Sequence, residues 1–367
     1  MNAETDARFM ALALALGARG QGRVWPNPAV GCVIAQDARI VGRGWTQDGG
    51  RPHAEAMALV QAGEAARGAT AYVSLEPCSH HGKTPPCAEA LIAAGVARVV
   101  YALEDPDPRV SGRGVAMLEN AGVAVTGGVM EAEAARAHAG FLSRVTRGRP
   151  TLTLKLATSF DGRIATATGE SQWITDAGAR RAVHAARARH DAVLVGAGTA
   201  RTDDPTLTVR GLGVTHQPVR IVASRRLDLP RESNLAQSLD QAPLWLCHGD
   251  DAQAEVLQAW EALGAKLLPV PLAGRLLDVP ALMAALGGEG LTSVFCEGGG
   301  ALAASLLNAD MVDHLVGYTA GVALGAEGQP AIGAMGLDLL AEAPRFQLDG
   351  VRQIGPDVEH RWRRSAP

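Results

Sequence analysis

A histidine and a glutamate stand two residues apart at His53 and Glu55, and two cysteines, each preceded by proline, follow at Cys78 and Cys87. One imidazole and two thiolates are three ligands that suit zinc and leave the fourth tetrahedral position to water, as a catalytic site requires. Zinc brings the pKa of such a water toward neutrality. Glu55 is placed to take the water's proton and hand it to a departing nitrogen without binding the metal itself. The expected chemistry is hydrolytic deamination. Nucleic-acid deaminases with this type of site keep two residues between their cysteines; here eight intervene, which points to another substrate. A lone histidine or cysteine would be read as part of a core, and a closed cysteine site as structural. All four elements in order, two of them at helix starts, argue for catalysis. His80 and His81 lie beside Cys78 and receive no role.

Local patterns indicate the elements that must position these groups. Asp6 is expected to cap a helix running through Ala18, and residues 30–34 and 39–41 read as two strands of a hairpin around Gln36-Asp37. Pro52 suits a first helical turn and residues 54–66 are rich in helix formers, so His53 and Glu55 fall at a helix N-terminus. A strand over 71–75 and a loop over 76–86 lead to a helix from Cys87 to about Ala94. A strand over 96–103, a helix over 114–121 and a strand over 123–125 complete a three-layer α/β pattern. From Arg144 to Pro150 the chain turns basic and loses apolar periodicity, and the domain boundary is placed there. Leu152, Leu154 and Leu156 then alternate with polar residues in a strand that opens a second domain. Further strands over 192–195, 219–223, 244–247, 266–270, 293–296 and 314–318, mostly separated by helical stretches, imply a largely parallel sheet.

Composition bounds the reading. The chain has 367 residues, 47% hydrophobic and 20% charged, with a formal net charge of −4. That length suits two domains, and the apolar content excludes a disordered chain or a coiled coil. The acidic balance supplies no general attraction to nucleic acid or anionic lipid. The apolar run from Met10 to Leu16 is too short to span a bilayer and lacks a basic flank. Five cysteines, an odd number in a long chain, argue for a reducing compartment and hence the cytoplasm. The oligomeric state is open, and a homo-oligomer is compatible with the sequence.

The segments Pro26-Asn27-Pro28-Ala29-Val30-Gly31, Pro52-His53-Ala54-Glu55 and the run from Pro77-Cys78 through Lys83-Thr84 to Pro86-Cys87 resemble the deaminase half of the bifunctional riboflavin biosynthesis protein family. The resemblance continues through Lys155–Gly162, Gly169–Thr175, Asp203–Arg210 and Cys296–Gly300, which are similar to its reductase half. It implies a cytidine-deaminase-like three-layer domain over 1–146 and a dihydrofolate-reductase-like α/β domain over 147–367. It also implies zinc-dependent removal of the 2-amino group of 2,5-diamino-6-ribosylamino-4(3H)-pyrimidinone 5′-phosphate. NADPH-dependent reduction of the ribosyl side chain to ribityl would follow. The partner is then a small phosphorylated pyrimidine, not a nucleic acid or a membrane.

Residue by residue, the resemblance makes Asn27, Lys83 and Thr84 substrate contacts in the first half. In the second it makes Ser171, Arg187, Leu207, Arg210 and Glu297 substrate contacts, and Ala157, Trp173, Thr199, Asp203, Ser224 and the turn Gly299, Gly300, Ala301, Leu302, Ala303, Ala304 and Ser305 cofactor contacts. Guanidinium groups at 187 and 210 suit a phosphate. A glycine turn between strand and helix lets backbone N–H groups approach one. Lys155 and Glu297 are assigned to proton handling, and Arg225 and Arg226 are candidates for a 2′-phosphate. Phe160 replaces the family's usual leucine, Asp107 stands where asparagine is common, and Ala320 lacks a following proline. Two rival readings are a tRNA or nucleoside deaminase with an unrelated C-terminal domain, and a non-catalytic binding module stabilised by zinc. Scarce aromatics and acidic charge weigh against the first, and Glu55 beside an open metal position weighs against the second.

Overall fold

The computed structural model describes residues 2–80, 85–108 and 110–365. The chain divides into two compact units, Met1–Gly148 and Arg149–Pro367. The last helix of the first unit continues to Arg147 and ends on Gly148 at φ 70°. The basic stretch from Arg144 is therefore helical rather than irregular.

The first unit runs α1 (Ala3–Gly17), β1 (Gly31–Gln36), β2 (Arg39–Trp45), α2 (Ala54–Ala62), β3 (Thr70–Val73), α3 (Cys87–Ala93), β4 (Arg98–Tyr101), α4 (Arg113–Asn120), β5 (Ala124–Thr126), α5 (Glu131–Ala137) and α6 (Ala139–Arg147). Its sheet has the order β2-β1-β3-β4-β5, with β1 antiparallel to both neighbours and β3, β4 and β5 parallel. Strand alternation sorts the core into two faces. Cys32, Ile34, Ala71, Val73 and Val99 meet α2, α3 and α4 through Ala54, Ala58, Ala88, Leu91 and Leu118. Val33, Ala35, Tyr72 and Val100 meet Phe9, Met10 and Ala13 of α1 and Ala134 of α5. These are the three expected layers.

Asp6 does not cap α1. Asn2 does, accepting a hydrogen bond from the Thr5 N–H at 3.0 Å. One turn into the helix, Asp6 is buried and accepts from the Tyr72 hydroxyl at 2.9 Å and from Arg98 at 3.0 and 2.8 Å. A carboxylate in the first turn looks the same in sequence whether it caps the helix or is buried against a distant arginine.

The second unit comprises β6 (Thr151–Thr158), β7 (Arg163–Ala165), α7 (Ala177–Arg187), β8 (Ala192–Gly196), α8 (Ala197–Thr202), β9 (Val219–Ala223), α9 (Asn234–Gln237), β10 (Leu244–His248), α10 (Ala254–Ala262), β11 (Lys266–Pro269), β12 (Leu272–Ala273), β13 (Leu276–Leu277), α11 (Val279–Gly288), β14 (Ser293–Cys296), α12 (Gly300–Asn308), β15 (His314–Thr319), β16 (Gln329–Pro330), β17 (Phe346–Ile354) and β18 (Asp357–Arg364). The main sheet has the order β11-β10-β9-β8-β14-β6-β15-β18-β17. It is parallel from β11 to β15, and the final hairpin β17–β18 adds on antiparallel. That hairpin lies outside the sequence expectation, because its polar, half-exposed strands lack the apolar run that marks a buried one. No helix among the described residues is long and apolar enough to cross a membrane.

Candidate functional site

In the first unit, His53 occupies the N-cap of α2 with extended backbone, and Glu55 sits in the helix's first turn. Cys78 lies on the loop after β3, and Cys87 is the first residue of α3. The fold brings the three ligand atoms of His53, Cys78 and Cys87 within 4.8 Å of one another. His53 Nδ1 lies 3.3 Å from Cys87 Sγ and 3.6 Å from Cys78 Sγ, and the Cys87 backbone N–H donates to Cys78 Sγ at 3.3 Å. One nitrogen and two sulfurs converging at such spacing fit a zinc ion.

The two thiols divide the charge unequally, the hydrogen bond to Cys78 and burial pushing the Cys87 thiol up. Hydrogen bonds from Cys87 and His53 draw the Cys78 thiol down to about 4 against its burial, so a thiolate forms readily. Glu55 is 4% exposed, and burial, helped by the Cys78 charge, pushes its carboxyl up to about 7. A carboxyl poised near neutrality can both accept and return a proton. Asn27 packs against the turn that leads into His53: a side chain on Gly50 would come within 2.0 Å of Asn27 Nδ2. Lys83, Thr84 and His81 lie outside the described residues.

In the second unit the candidates collect at the carboxyl ends of parallel strands, where ligands of open α/β sheets bind. Cys296 of β14 is in register with Leu154 of β6 and Leu194 of β8, so the next residue, Glu297, emerges beside Lys155. Lys155 Nζ lies 4.0 Å from Glu297 Oε2. Arg187, at the end of α7, donates to Glu297 through Nε at 2.5 Å and a terminal nitrogen at 3.0 Å, and to the Thr208 carbonyl at 2.9 Å. The guanidinium fork expected to meet a phosphate thus grips Glu297. Burial would raise the Glu297 carboxyl, but Arg187 and Lys155 more than offset it and hold it below its usual value. Burial lowers the Lys155 ammonium, with Glu297 and Asp203 opposing.

The glycine turn is built for close backbone approach. A side chain on Gly298 would lie 2.6 Å from the Gly196 nitrogen, and Gly299 adopts φ 49° with its Cα face toward Thr199 Oγ1. The turn opens α12, whose first N–H groups have no acceptor within the helix. By Ala303 the N–H already bonds to the Gly299 carbonyl at 3.0 Å, and Ala303 and Ala304 are buried. The Ser305 hydroxyl turns back to the Ala301 carbonyl. Any anion contact from Gly299–Ser305 therefore concentrates at Gly299–Leu302. Ala157 lies two residues beyond Lys155 on β6 and packs against the apolar cluster around Phe295.

Trp173 is 67% exposed, with the Arg180 guanidinium 4.6 Å above its ring. The Ser171 carbonyl closes a turn with the Ile174 N–H at 3.1 Å. Ser224 follows β9, its hydroxyl donating to Asp228 at 3.3 Å. Leu207 has φ 56° and a buried side chain, so its backbone is what a ligand could meet. Arg210 is exposed; its side chain donates to Thr206 Oγ1 and its N–H to His184 Nδ1 at 3.2 Å. His184 was absent from the sequence candidates. Its place three residues before Arg187 on α7, one turn away on the same face, was the available signal.

Residues 150–359 match the family described as the RibD C-terminal domain, and residues 3–103 match the cytidine and deoxycytidylate deaminase zinc-binding region. The riboflavin biosynthesis protein RibD of Escherichia coli strain K12 is 44% identical over 365 residues, covering 96% of this chain and 98% of the relative. That of Bacillus amyloliquefaciens is 38% identical, covering 96% and 94%. Among solved structures, Acinetobacter baumannii RibD aligns with a TM-score of 0.90 at 37% identity over 100% of both chains. A Thermotoga maritima diaminohydroxyphosphoribosylaminopyrimidine deaminase/5-amino-6-(5-phosphoribosylamino)uracil reductase aligns with a TM-score of 0.86 at 34% identity, over 99% of each. The match over 150–359 removes the alternative of an unrelated C-terminal domain.

Proposed function

Because the chain belongs to the RibD family of riboflavin biosynthesis proteins, we propose that it carries out two successive reactions on one phosphorylated pyrimidine. The first unit deaminates 2,5-diamino-6-ribosylamino-4(3H)-pyrimidinone 5′-phosphate, and the second reduces the ribosyl side chain of the product to ribityl with NADPH. The observation that carries the first step is the convergence of His53, Cys78 and Cys87 within 4.8 Å beside buried Glu55.

His53, Cys78 and Cys87 would hold zinc, which when bound makes a water acidic enough to ionise near neutral pH. With zinc held there, Glu55 would take a proton from such a water and deliver it to the 2-amino nitrogen, so that a C–O bond would form, the C–N bond break and ammonia leave. Asn27 faces the pyrimidine, with Lys83 and Thr84 as further substrate contacts.

In the second unit NADPH, when bound, would supply a hydride to C1′ of the sugar. Gly299–Leu302 would bind its phosphates at the start of α12, with Ala157, Trp173, Thr199, Asp203 and Ser224 as further cofactor contacts. As C1′ gains the hydride its bond to the ring oxygen breaks, Lys155 gives that oxygen its proton, and Glu297 holds the ammonium in place. Arg210 takes the substrate phosphate, Ser171 and the Leu207 backbone flank the substrate, and Arg187 orients Glu297. Arg225, Arg226, Asp228 and Arg275 line an open cleft of about 670 Å3 next to Ser224. Arg225 and Arg226 pair with Asp251 at 2.6 and 3.6 Å, and together with Arg275 they offer guanidinium groups that suit the 2′-phosphate of NADPH. The enzyme acts on a small molecule in the cytoplasm, not on nucleic acid or at a membrane.

A coupled assay with the ribosylaminopyrimidine phosphate, with and without NADPH, tests both steps by following ammonia and cofactor oxidation together. Ammonia should appear without NADPH, and NADPH should be consumed only once the deaminated product is present. Absence of ammonia release would refute the first step, and NADPH consumption indifferent to that product would refute the second.

A further inference from the structure

Glu76 takes no part in the chemistry above, yet the residue is only 3% exposed and its carboxylate is surrounded by backbone donors. Oε1 accepts from the N–H groups of Gly114 at 3.1 Å and Val115 at 3.3 Å. Oε2 accepts from Gly112 at 3.1 Å and Asp105 at 3.4 Å. The carboxylate therefore closes both ends of the segment from 105 to 115 and sits on the N-terminus of α4, where a negative charge is favoured. Its own N–H bonds to the Leu103 carbonyl at 2.9 Å, so the side chain springs from a backbone already fixed to the end of β4.

Two residues further on is Cys78. The intervening Pro77 has a fixed φ, which leaves little freedom between the anchored Glu76 and the thiol. The start of α4 also presses directly on this link: a side chain on Gly114 would lie 2.0 Å from the Pro77 carbonyl oxygen. From the other side, Cys78 is held by α3, its carbonyl accepting from the Ala88 N–H at 3.2 Å and its sulfur from the Cys87 N–H at 3.3 Å. Cys78 is thus gripped between two helix starts, and Glu76 is the polar fastening of one of them.

We infer that Glu76 is a positioning residue for the metal centre, clamping the N-terminus of α4 to the Pro77-Cys78 turn so that Cys78 Sγ meets His53 and Cys87. This rests on the proposed role of Cys78 as a zinc ligand. Groups that orient a ligand without touching the metal are worth about 10- to 100-fold in metal affinity. A glutamine at 76 keeps the size of the side chain but presents an amide to a ring of N–H donors, so one half of the clamp opens.

The test measures zinc affinity by chelator competition on the full chain for the natural protein, Glu76→Gln, Gly114→Ala and Cys78→Ser. It adds the absorption spectrum of each after cobalt(II) loading, which reads thiolate coordination. Reductase turnover on the deaminated substrate serves as the folding control. Glu76→Gln and Gly114→Ala should each weaken zinc binding about tenfold or more and reduce the thiolate-to-cobalt band, with reductase turnover unchanged. Should Glu76→Gln fail to fold, Gly114→Ala reads the same contact from the opposite side. Natural zinc affinity and an unchanged cobalt spectrum in either variant, while Cys78→Ser loses metal, would overturn the clamp alone. Retention of zinc by Cys78→Ser would instead overturn the ligand assignment beneath it.

Discussion

Gly44 of β2 lies so close to Ala54, the first residue of α2, that a side-chain carbon on Gly44 would come within 2.1 Å of the Ala54 carbonyl oxygen. Gly42 faces the Ala58 carbonyl in the same way at 2.2 Å. The helix that carries His53 at its cap and Glu55 in its first turn is thus seated directly on the backbone of an edge strand. Helix position and metal geometry are consequently coupled.

Gly44→Ala should displace the start of α2 and cut deamination about 100-fold, the scale of a misplacement of about 1 Å in a reacting group. Reductase turnover should stay within about twofold. The two rates measured on one preparation decide it, and an unaltered deamination rate would remove the seating argument.

Glu55→Gln should leave one zinc bound per chain while deamination falls by at least about 100-fold, because the amide cannot carry the proton. Metal content by atomic spectroscopy and ammonia release provide the check. Full turnover would transfer the proton to another group.

Arg226→Gln combined with Arg275→Gln should raise the KM for NADPH about tenfold or more while leaving the KM for NADH unchanged, since only the former carries the 2′-phosphate. Equal effects on both cofactors would show that the arginine cleft serves another part of the molecule.

His138 is 2% exposed, its Nε2–H donating to the Ser74 carbonyl at 3.1 Å, and burial lowers its pKa to about 4. A histidine held neutral in the folded state and free to protonate at about 6.5 when unfolded destabilises the fold as pH drops between those values. The first unit should lose on the order of 3 kcal/mol from this source between pH 7 and 4, with stability full above pH 6.5. Urea midpoints across that range should fall less steeply in His138→Gln. Parallel pH profiles for the two proteins would contradict the assignment.

Much of the deaminase site was legible because its determinants are local. His53 and Glu55 are separated by one residue at a helix start, and Cys87 opens a helix after Pro86. Capping, proline placement and ligand type act over a few residues and can be read in order along the chain. The parallel strands were legible for the same reason, as short apolar runs bounded by turn residues. The polar hairpin β17–β18 and the true partner of Asp6 were not, since neither leaves a local mark.

What the residues alone determined is the chemistry: a histidine, two cysteines and a carboxylate suited to an open zinc site, and a second half with a glycine turn between strand and helix. Only the tertiary structure decided how distant groups share charge. Arg187 and Glu297 are 110 positions apart, yet pair at 2.5 Å because α7 ends beside the emerging end of β14. Glu76 likewise reaches Gly114 across 38 positions because α4 begins on top of Pro77. Side-chain type and short spacing are written in the chain, whereas the register of parallel strands and the packing of helix starts arise only when the whole sheet closes around its core.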